Sequence, residues 1–476
     1  MLRDLLSPYK DKIDGHTELR AQRNINRAVA LVAGNVTQNV SSEVTGLSAR
    51  VYQGGYWGFA SAAGNAGDTA NGDAEGAGDA ADTRAIEDVL GAARRNAAFL
   101  NEKLGPQKPA LTPLPRTRHF AELRVPAARR GEMLDFARAI DAYIAKKYPG
   151  LAARRLGVSG DSIEKLIVTS DGADARSLVP RVYVRCMLCA EADDGSIVEY
   201  SDNLGGGPGF FGDVFGAPEA LFDKVDALYE TLMKKREGVY ADAGLRDVIL
   251  DSKLAGMLAH EAIGHTTEAD LVLGGSVAGP NLGKEVASPL VTLVDFANTA
   301  LGSPTPQPIY VDDEGTVARD VRLIEGGVLK AFMHNRETAR HFGHEPTGNA
   351  RAYLFSDEPL VRMRNTAILP GKDKLEDMIA SIDDGYYLTQ TGNGQADLTS
   401  EFMFSVNMGF EIKKGKLARA LRDTTISGVA FDLLKTVTML SGELTWASSG
   451  MCGKKQPIPV GMGGPAVKCR VNIGGR

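Results

Sequence analysis

The sequence predicts an α+β protein in which an N-terminal, α/β-sandwich-like region precedes a β-rich C-terminal domain. Amphipathic helical patterns and strand-like runs both occur in residues 1–238, whereas strand patterns dominate residues 239–476. The chain has 476 residues, more than one ordinary hydrophobic core accommodates. We therefore expect two domains, 1–238 and 239–476, with a histidine-bearing helix near the start of the second.

The N-terminal region contains a predicted hairpin. Residues 47–52 and 54–59 have the composition of two strands that are joined at a Gly-Gly turn. Other elements follow from apolar residues at helical spacing or from short runs of β-branched residues. They are helices at 83–104, 131–147 and 218–236, strands at 162–169 and 181–190, and a third strand after a turn at 193–195.

The composition changes most sharply at residues 61–82. This segment is built mainly from Ala, Gly, Asp and Asn and has no large apolar residue. Because it can bury almost no apolar surface, we predict a flexible surface insertion there.

The C-terminal domain begins with a short predicted strand at 248–251 and a helix that ends near residue 265. Strand patterns prevail beyond this helix. The predicted elements are strands at 290–294, 308–312, 321–324 and 402–408, a hairpin over 409–422, a helix at 429–440 and a glycine-rich tail from 448.

Composition also limits the classes of partner. A net charge of −6 is modest for this length, so nothing indicates nucleic acid or an anionic membrane as a partner. No uncharged apolar run reaches the ~18 residues that span a bilayer, and the first residues lack a signal-peptide core. Four cysteines do not make a disulfide framework. These features predict a cytoplasmic protein.

Two of the seven histidines, with a glutamate beside the first, occur in His260-Glu-Ala-Ile-Gly-His265. Such groups form hydrolytic zinc sites, but zinc proteases commonly space these histidines four apart on a helix. A spacing of five separates the rings by about 140° on a regular α-helix. A single π-type turn, eased by Gly264, would align them. The alternative is two helical histidines that face different ways.

A zinc hydrolase needs a third protein ligand, and the sequence offers two sources. One is a cluster of His334, His341 and His344. The other is Cys452, which lies in a glycine-bounded loop. Each has a structural alternative, because the histidines could lie on a solvated helix and a lone cysteine is commonly a small buried hydrophobe.

Two acidic residues, Glu268 and Asp270, follow the histidine motif closely. Either could accept the free N–H of a metal-bound imidazole, as carboxylates next to metal sites often do. Equally, both could be exposed acids at a helix end.

Two further motif matches do not predict a function. Cys186 and Cys189 form C-x-x-C, but they lie in a strand-like run, where residues three apart face opposite sides. Residues 207–212 match G-x-G-x-x-G, yet no helix follows directly as a dinucleotide site requires. We predict a flexible, partly aromatic loop there, one that could cover a cleft.

Six segments, taken together, identify a family resemblance. They are Gly54-Gly-Tyr-Trp-Gly-Phe-Ala60, His260-Glu-Ala-Ile-Gly-His265 with Glu268 and Asp270, Val311-Asp-Asp-Glu-Gly-Thr316, Pro346-Thr-Gly-Asn349, Met363-Arg-Asn-Thr366 and Gly450-Met-Cys-Gly453. This ordered set closely resembles the TldD branch of the TldD/PmbA metalloproteases. It extends over most of the chain and is weakest at 61–82 and around Gly207.

The resemblance implies a zinc site formed by His260, His265 and Cys452, with Glu261 as the catalytic residue. It implies cleavage of flexible or unfolded peptides that are held mainly through their backbone. It also implies a partner, either a PmbA/TldE-type subunit that lacks the metal motif or a second copy of this chain. This chain would be the catalytic member.

The predicted function is therefore zinc-dependent peptide hydrolysis. A metal-activated water would attack the peptide carbonyl, and Glu261 would take the water proton and pass it to the leaving amine. One alternative is a non-catalytic peptide-binding subunit of a TldD/TldE-type complex, in which the motif is structural. Another is a metal-dependent amidase of small molecules, which would have a closed pocket instead of an elongated groove.

Overall fold

The computed structural model describes residues 2, 4–64, 75–105, 111–121 and 131–474. Strands account for 44% and helices for 25% of the structure, which confirms the predicted α+β class. Three large sheets organise the described residues. No helix in this part of the chain is both long and apolar enough to cross a membrane.

The N-terminal sheet has the strand order β3-β2-β1-β5-β6-β4, and β7 also pairs with β6. Its strands are β1 (His16–Val32), β2 (Asn35–Gln53), β3 (Tyr56–Ala63), β4 (Arg118–Phe120), β5 (Ala153–Thr169), β6 (Asp174–Glu191) and β7 (Ile197–Pro208). The predicted hairpin of β2 and β3 is confirmed, with Gly54 and Gly55 both at positive φ in the turn. The strands predicted within β5 and β6 are confirmed and are longer than expected.

The predicted insertion at 61–82 is wrong at both ends. Residues 61–63 complete β3, and residues 75–82 begin the helix α1 (Glu75–Leu104), ahead of the predicted start at 83. Alanine is frequent in this segment and is the best helix former, which explains the longer helix. Residues 65–74 lie outside the described residues.

Helices cover one face of the N-terminal sheet. α1 packs on β2 and β3, while α2 (Glu132–Lys147) and α4 (Phe222–Arg236) pack with β5 and β6. The helices predicted at 131–147 and 218–236 are thereby confirmed, the second with a 3₁₀ first turn.

The opposite face of this sheet meets the C-terminal region of the chain through polar side chains of β1. The amides of Gln22 and Asn24 both donate to the carbonyl oxygen of Tyr353, at 2.5 and 2.8 Å. The guanidinium of Arg20 donates to three carbonyl oxygens within 354–357. These directed bonds join the two regions of the chain.

The remaining strands of the described residues all lie in the C-terminal region. They are β8 (Gly244–Leu250), β9 (Leu293–Phe296), β10 (Thr299–Ala300), β11 (Ser303–Pro304), β12 (Val321–Glu325), β13 (Val328–Leu329), β14 (Ala350–Arg351), β15 (Leu360–Val361), β16 (Asn365–Ile368), β17 (Asp384–Ala396), β18 (Glu401–Lys413), β19 (Lys416–Leu421), β20 (Thr424–Val429), β21 (Met439–Leu440), β22 (Thr445–Cys452), β23 (Ile458–Gly464) and β24 (Val467–Ile473). The remaining helices are α3 (Phe211–Val214), which packs on the N-terminal sheet, and α5 (Ser252–Met257), α6 (Ala269–Leu273), α7 (Arg336–Phe342), α8 (Leu375–Ala380) and α9 (Ala430–Lys435).

Two sheets enclose the histidine-bearing helix. In one, β17 pairs with both β8 and β18, so that β8-β24-β20-β18-β17 forms a closed ring. The other sheet has the order β13-β12-β9-β16-β23-β22. α5 contacts β17 of the ring and β23 of the second sheet, which places the motif between them.

Several C-terminal predictions are confirmed. β12 and β18 cover the expected strands, β8 contains the predicted strand except for Asp251, and β18 and β19 form the predicted hairpin around the turn at 413–416. The strand expected at 290–294 occurs slightly later, as β9.

The strand predicted at 308–312 is wrong. The carboxylate of Asp312 accepts the backbone N–H groups of Glu314 and Thr316, at 3.0 and 2.9 Å. A side chain that binds the following backbone in this way favours a turn over an extended strand.

The helix predicted at 429–440 is longer than the observed helix. The segment from residue 448, predicted to be a glycine-rich tail, forms strands instead. α9 ends at Lys435, and residues 439–440 belong to β21. The tail forms β22, β23 and β24. A Cβ at Gly461 or Gly463 would press against the side chain of Asn365 or Trp446, so these glycines permit close packing within a sheet.

The predicted loop around 207–212 is partly wrong. β7 runs to Pro208 alongside β6, and the short helix α3 follows from Phe211. The ring of Phe211 packs edge-on against Phe136, 5.2 Å away. Cys186 and Cys189 both lie in β6, as predicted, and both are free, buried thiols.

Candidate metal centre

The histidine motif lies where a helix changes type. α5 begins after Asp251, whose side chain accepts the N–H of Leu254 at 2.9 Å, a normal N-cap. A π-helix then covers Leu258–Gly264, and the N–H of His265 donates to the carbonyl oxygen of His260. This i to i+5 bond confirms the π-type turn that the histidine spacing predicted.

Gly264 has a different role from the one expected. Its φ of −55° and ψ of −54° are ordinary helical values, so the π turn does not use the conformational freedom of glycine. A Cβ at this position would overlap the sulfur of Met363, which is fully buried. The glycine therefore allows Met363 to pack directly on the motif.

Gly264→Ala should lower the free energy of unfolding by about 1–3 kcal/mol, because the added methyl group overpacks the contact with Met363. Urea denaturation of the purified protein measures this change. Gly216→Ala is the matched control, since a Cβ at Gly216 meets no atom within 4 Å. Equal unfolding free energies in the two variants would mean that Met363 moves aside without cost.

Three potential metal ligands converge at the motif. Ligand atoms of His260, His265 and Cys452 all lie within 4.8 Å of one another. The Nε2 atom of His265 is 3.3 Å from the Sγ atom of Cys452. His260 is 1% exposed, and neither of its ring nitrogens has a hydrogen-bond partner in the described part of the chain. A buried imidazole without partners is costly, and a metal ion would satisfy it.

The electrostatics favour the ligating form of Cys452. Burial alone would raise the pKa of its thiol, but the imidazoles of His260 and His265 outweigh burial and lower this pKa to about 4. Burial also opposes charging of His265, whereas Glu268 and Cys452 raise its pKa well above the usual range. The site thus stabilises a thiolate, the form of cysteine that binds metal.

Glu268 and Asp270 occupy different positions in the site. Glu268 is fully buried, and its Oε2 atom lies 2.9 Å from Nδ1 of His265. Among the described residues, Asp270 forms no hydrogen bond to a histidine, and its carboxylate accepts from Nζ of Lys454 at 2.7 Å. Lys454 Nζ is also 3.3 Å from Oε2 of Glu268. One lysine therefore offsets the charge of both carboxylates.

Cys452 is the last residue of β22 and is positioned by a buried arginine. The guanidinium of Arg362 donates to the carbonyl oxygens of Cys452 at 2.7 Å and Lys454 at 3.0 Å. A third bond, of 2.8 Å, reaches the carbonyl oxygen of Gln456. Arg362 is fully buried, so it fixes the turn that presents both the thiol and the lysine.

Glu261 lies on the more accessible side of the cluster. Its Oε2 atom is 3.7 Å from Nε2 of His265, and its side chain is 21% exposed. A carboxylate close to the ligand atoms and reachable from solvent has the position that a general base needs.

The alternative third ligands lie elsewhere. In the described residues, the group of converging ligand atoms includes none of His334, His341 and His344. His334 is 3% exposed, and its ring lies 5.6 Å from that of Phe342. Burial, with smaller contributions from His344 and Arg319, lowers the pKa of His334 to about 4. The solvated-helix interpretation is therefore wrong for His334, which is a buried, neutral histidine.

Three family models match consecutive parts of the chain. They are described as PmbA/TldA metallopeptidase domain 1 (residues 17–97), central domain (residues 127–230) and C-terminal domain (residues 243–475). The chain belongs to the PmbA/TldD metallopeptidase family. All of the converging residues lie within the part matched by the C-terminal model.

Relatives of the PmbA/TldD family match much of the chain. The zinc metalloprotease TldD homolog of Saccharolobus solfataricus is 34% identical over 287 residues, which are 60% of this chain and 63% of that protein, slightly less than two thirds of its length. A metalloprotease of Methanothermobacter thermautotrophicus is 29% identical over 474 residues, which are 98% of this chain and 97% of that protein. The solved structure of TldE from Thermococcus kodakarensis has a TM-score of 0.72 and 18% identity, covering 99% of each chain, which shows a shared fold.

The sequence motifs do not predict two residues of the candidate metal centre, Lys454 and Arg362. Lys454 lies two positions after Cys452, and a charged residue so close to a candidate ligand was the available signal. Arg362 directly precedes Met363-Arg-Asn-Thr366, one of the segments that carry the family resemblance. Nothing in the local sequence pattern distinguishes Arg362 from an exposed arginine.

Proposed function

We propose that this member of the PmbA/TldD family is a zinc-dependent peptidase that cleaves flexible or unfolded peptides. The observation that carries the proposal is the buried convergence of His260, His265 and Cys452, in which the ring nitrogens of His260 have no other described partner. The names of the relatives, metalloprotease and zinc metalloprotease, support the same class of reaction.

The donor set fits zinc. Two imidazoles and one thiolate are ligands that zinc accepts, and a set of three leaves a fourth position for water or substrate. When bound, zinc supplies a Lewis acid that polarises a peptide carbonyl and acidifies a water molecule. Side chains of the protein perform the remaining steps.

Glu261 is the proposed proton carrier. Its carboxylate takes a proton from the attacking water and delivers it to the nitrogen of the scissile peptide bond. Both transfers are needed, because the amide nitrogen leaves as a neutral amine. The partial exposure of Glu261 beside His265 supports this role.

Glu268 is the proposed positioning residue for His265. Its carboxylate accepts the Nδ1–H of the imidazole, so zinc, when bound, would take the place of the proton on Nε2, the nitrogen next to Cys452. In this proposal Lys454 keeps Glu268 ionised, and Asp270 acts only through Lys454.

The substrate peptide is proposed to bind along β22. This strand ends its sheet and pairs with β23, and no described strand pairs with its other side. An extended peptide can add to such an edge through backbone hydrogen bonds, which give affinity with little sequence preference. Because β22 ends at Cys452, a peptide on this edge would pass the proposed zinc ligands.

A subunit partner is also part of the proposal. The shared fold with TldE from Thermococcus kodakarensis supports a TldD/TldE-type assembly in which this chain carries the metal ligands. A second copy of this chain is the alternative partner.

Metal removal tests the proposed reaction. The purified protein should contain about one zinc per chain and hydrolyse an unstructured fluorogenic peptide, with or without a motif-less homologous subunit. A chelator should abolish hydrolysis, and added zinc should restore it, because the proposed Lewis acid is then lost and regained. Elemental analysis and the peptide assay provide the readouts. A metal-free protein that binds peptides without cleaving them would instead be a non-catalytic peptide-binding subunit.

A further inference from the structure

One glutamine of β17 combines an unusual backbone conformation with burial. Gln390 has a φ of 58° and is 9% exposed. The other five described non-glycine residues with positive φ all lie between elements, whereas Gln390 lies within a strand. Residues with a side chain rarely adopt this conformation, and it persists where the surroundings fix it. Because glycine would adopt it without strain, we expect the side chain of Gln390 to have a role of its own.

The side-chain amide of Gln390 joins two distant parts of the chain. Its Nε2 atom donates to the carbonyl oxygen of Ser201 in β7 at 2.9 Å, and its Oε1 atom accepts from Nζ of Lys253 in α5 at 2.8 Å. A carbonyl oxygen can only accept and an ammonium group can only donate, so these partners fix the orientation of the amide. The position requires a donor and an acceptor on one planar group, which an amide provides.

An ion pair completes the connection between β7 and α5. Nζ of Lys253 lies 2.7 and 2.6 Å from the two carboxylate oxygens of Asp202, the neighbour of Ser201 in β7. The N–H of Gln390 also donates to Asp251, the N-cap of α5, at 3.3 Å. We refer to Ser201, Asp202, Lys253 and Gln390 together as the β7–α5 contact.

The β7–α5 contact lies beside the candidate metal centre. α5 continues directly into the π-helix at Leu258–Gly264. β7 also contacts β22, the strand that ends at Cys452. On β6, the strand that pairs with β7, the guanidinium of Arg181 lies 3.9 Å from the sulfur of Met451 in β22. The edge of the N-terminal sheet therefore borders the strand along which the substrate peptide is proposed to bind.

We propose that Gln390 is a positioning residue that holds β7 against the first turn of α5 and thereby fixes the width of a substrate cleft between β7 and β22. The role in substrate binding rests on the proposed peptidase function. Without the amide, β7 would move away from α5 in a fraction of the molecules. The apparent affinity for peptide falls in proportion to the fraction that keeps the cleft closed.

Gln390→Ala removes both side-chain bonds and tests this role. KM for an unstructured peptide should rise roughly tenfold, because a typical hydrogen bond contributes up to about that factor. Zinc content and kcat should stay unchanged, since none of the described hydrogen bonds of Gln390 reaches a converging ligand residue. Backbone amides of Ile197–Pro208 should exchange hydrogen faster. Steady-state kinetics, elemental analysis and hydrogen exchange provide the measurements.

Gln390→Gly separates the side chain from the backbone. Glycine relieves the strain at a φ of 58° but also lacks both bonds, so KM should rise as in Gln390→Ala. Gln395→Ala is the matched control, because Gln395 is an exposed glutamine of the same strand and should have no effect. A wild-type KM in folded Gln390→Gly would overturn the proposal, since the side chain would then be dispensable.

A double-mutant cycle tests whether Gln390 acts through β7. Asp202→Asn should raise KM by itself, and its combination with Gln390→Ala should raise KM by less than the product of the two single effects. The control is Asp384→Asn, which breaks an exposed ion pair with Lys413 and should leave KM unchanged. Single effects of Asp202→Asn and Gln390→Ala that simply multiply would overturn the proposal, because the two residues would then act independently.

Hydrogen exchange separates this proposal from the proposed peptidase function. If the wild-type chain cleaves no peptide, the peptidase function fails and exchange at Ile197–Pro208 alone decides the role of Gln390. Faster exchange in Gln390→Ala than in Gln395→Ala supports the role, and equal exchange overturns it. In an active enzyme, a loss of kcat or zinc at unchanged KM would also overturn it, because Gln390 would then act on the motif helix instead of β7.

Discussion

Glu261→Gln is expected to remove most peptide hydrolysis while zinc content and fold stay unchanged. The amide cannot take the proton of the attacking water, so kcat/KM should fall by about 10²–10⁴-fold, the usual contribution of general acid–base catalysis. Gln matches Glu in size, and Glu261 is not one of the three converging ligand residues. Steady-state kinetics with a flexible fluorogenic peptide, combined with elemental analysis, measures both properties.

Glu285→Gln provides the control for this substitution. Glu285 is an exposed glutamate outside the metal centre, so this variant should be fully active. Wild-type activity in Glu261→Gln would remove Glu261 from the mechanism. Loss of zinc together with activity would show that Glu261 holds the metal site together instead of carrying protons.

The π-type turn shows how much local spacing can predict. Two histidines five residues apart can approach one point only if the helix gains a residue in one turn, and the π-helix at Leu258–Gly264 does this. Spacing could not predict the role of Gly264, because that role depends on Met363, which is distant in sequence.

The position of Cys452 shows where local patterns fail. From the residues alone, Cys452 and the cluster of His334, His341 and His344 are both candidates, and only the family resemblance favours the cysteine. The turn that presents Cys452 is held by Arg362, 90 residues earlier in the chain. The glycines on either side of Cys452 predict a loop, but Gly450 lies in β22, where a Cβ would press against the side chain of Met462.

The N-terminal sheet was predicted only in part for a related reason. β1 is 17 residues long, yet the sequence pattern did not predict it. Its inner positions include Arg20, Gln22 and Asn24, which are buried because they bind carbonyl groups of the C-terminal domain. A strand with two buried faces, one of them polar, lacks the apolar alternation by which strands are recognised.

Cys452→Ser is expected to cause the largest loss of zinc. The hydroxyl of serine is a much poorer zinc ligand than a thiolate, and only His260 and His265 of the converging set would remain. The loss of affinity should exceed the roughly 10–100-fold that removal of a ligand's hydrogen-bond partner costs. Competition with a chromogenic chelator measures zinc affinity, and peptide hydrolysis should fall in parallel.

Cys469→Ser separates the loss of a ligand from the cost of placing a hydroxyl in the core. Cys469 and Cys452 are both 2% exposed, but burial raises the pKa of Cys469, which has no role in the converging set. Both variants therefore bear a similar burial penalty, and only Cys452→Ser should release zinc. Wild-type zinc affinity in folded Cys452→Ser would exclude the thiol from the site and leave the two histidines in need of another third ligand.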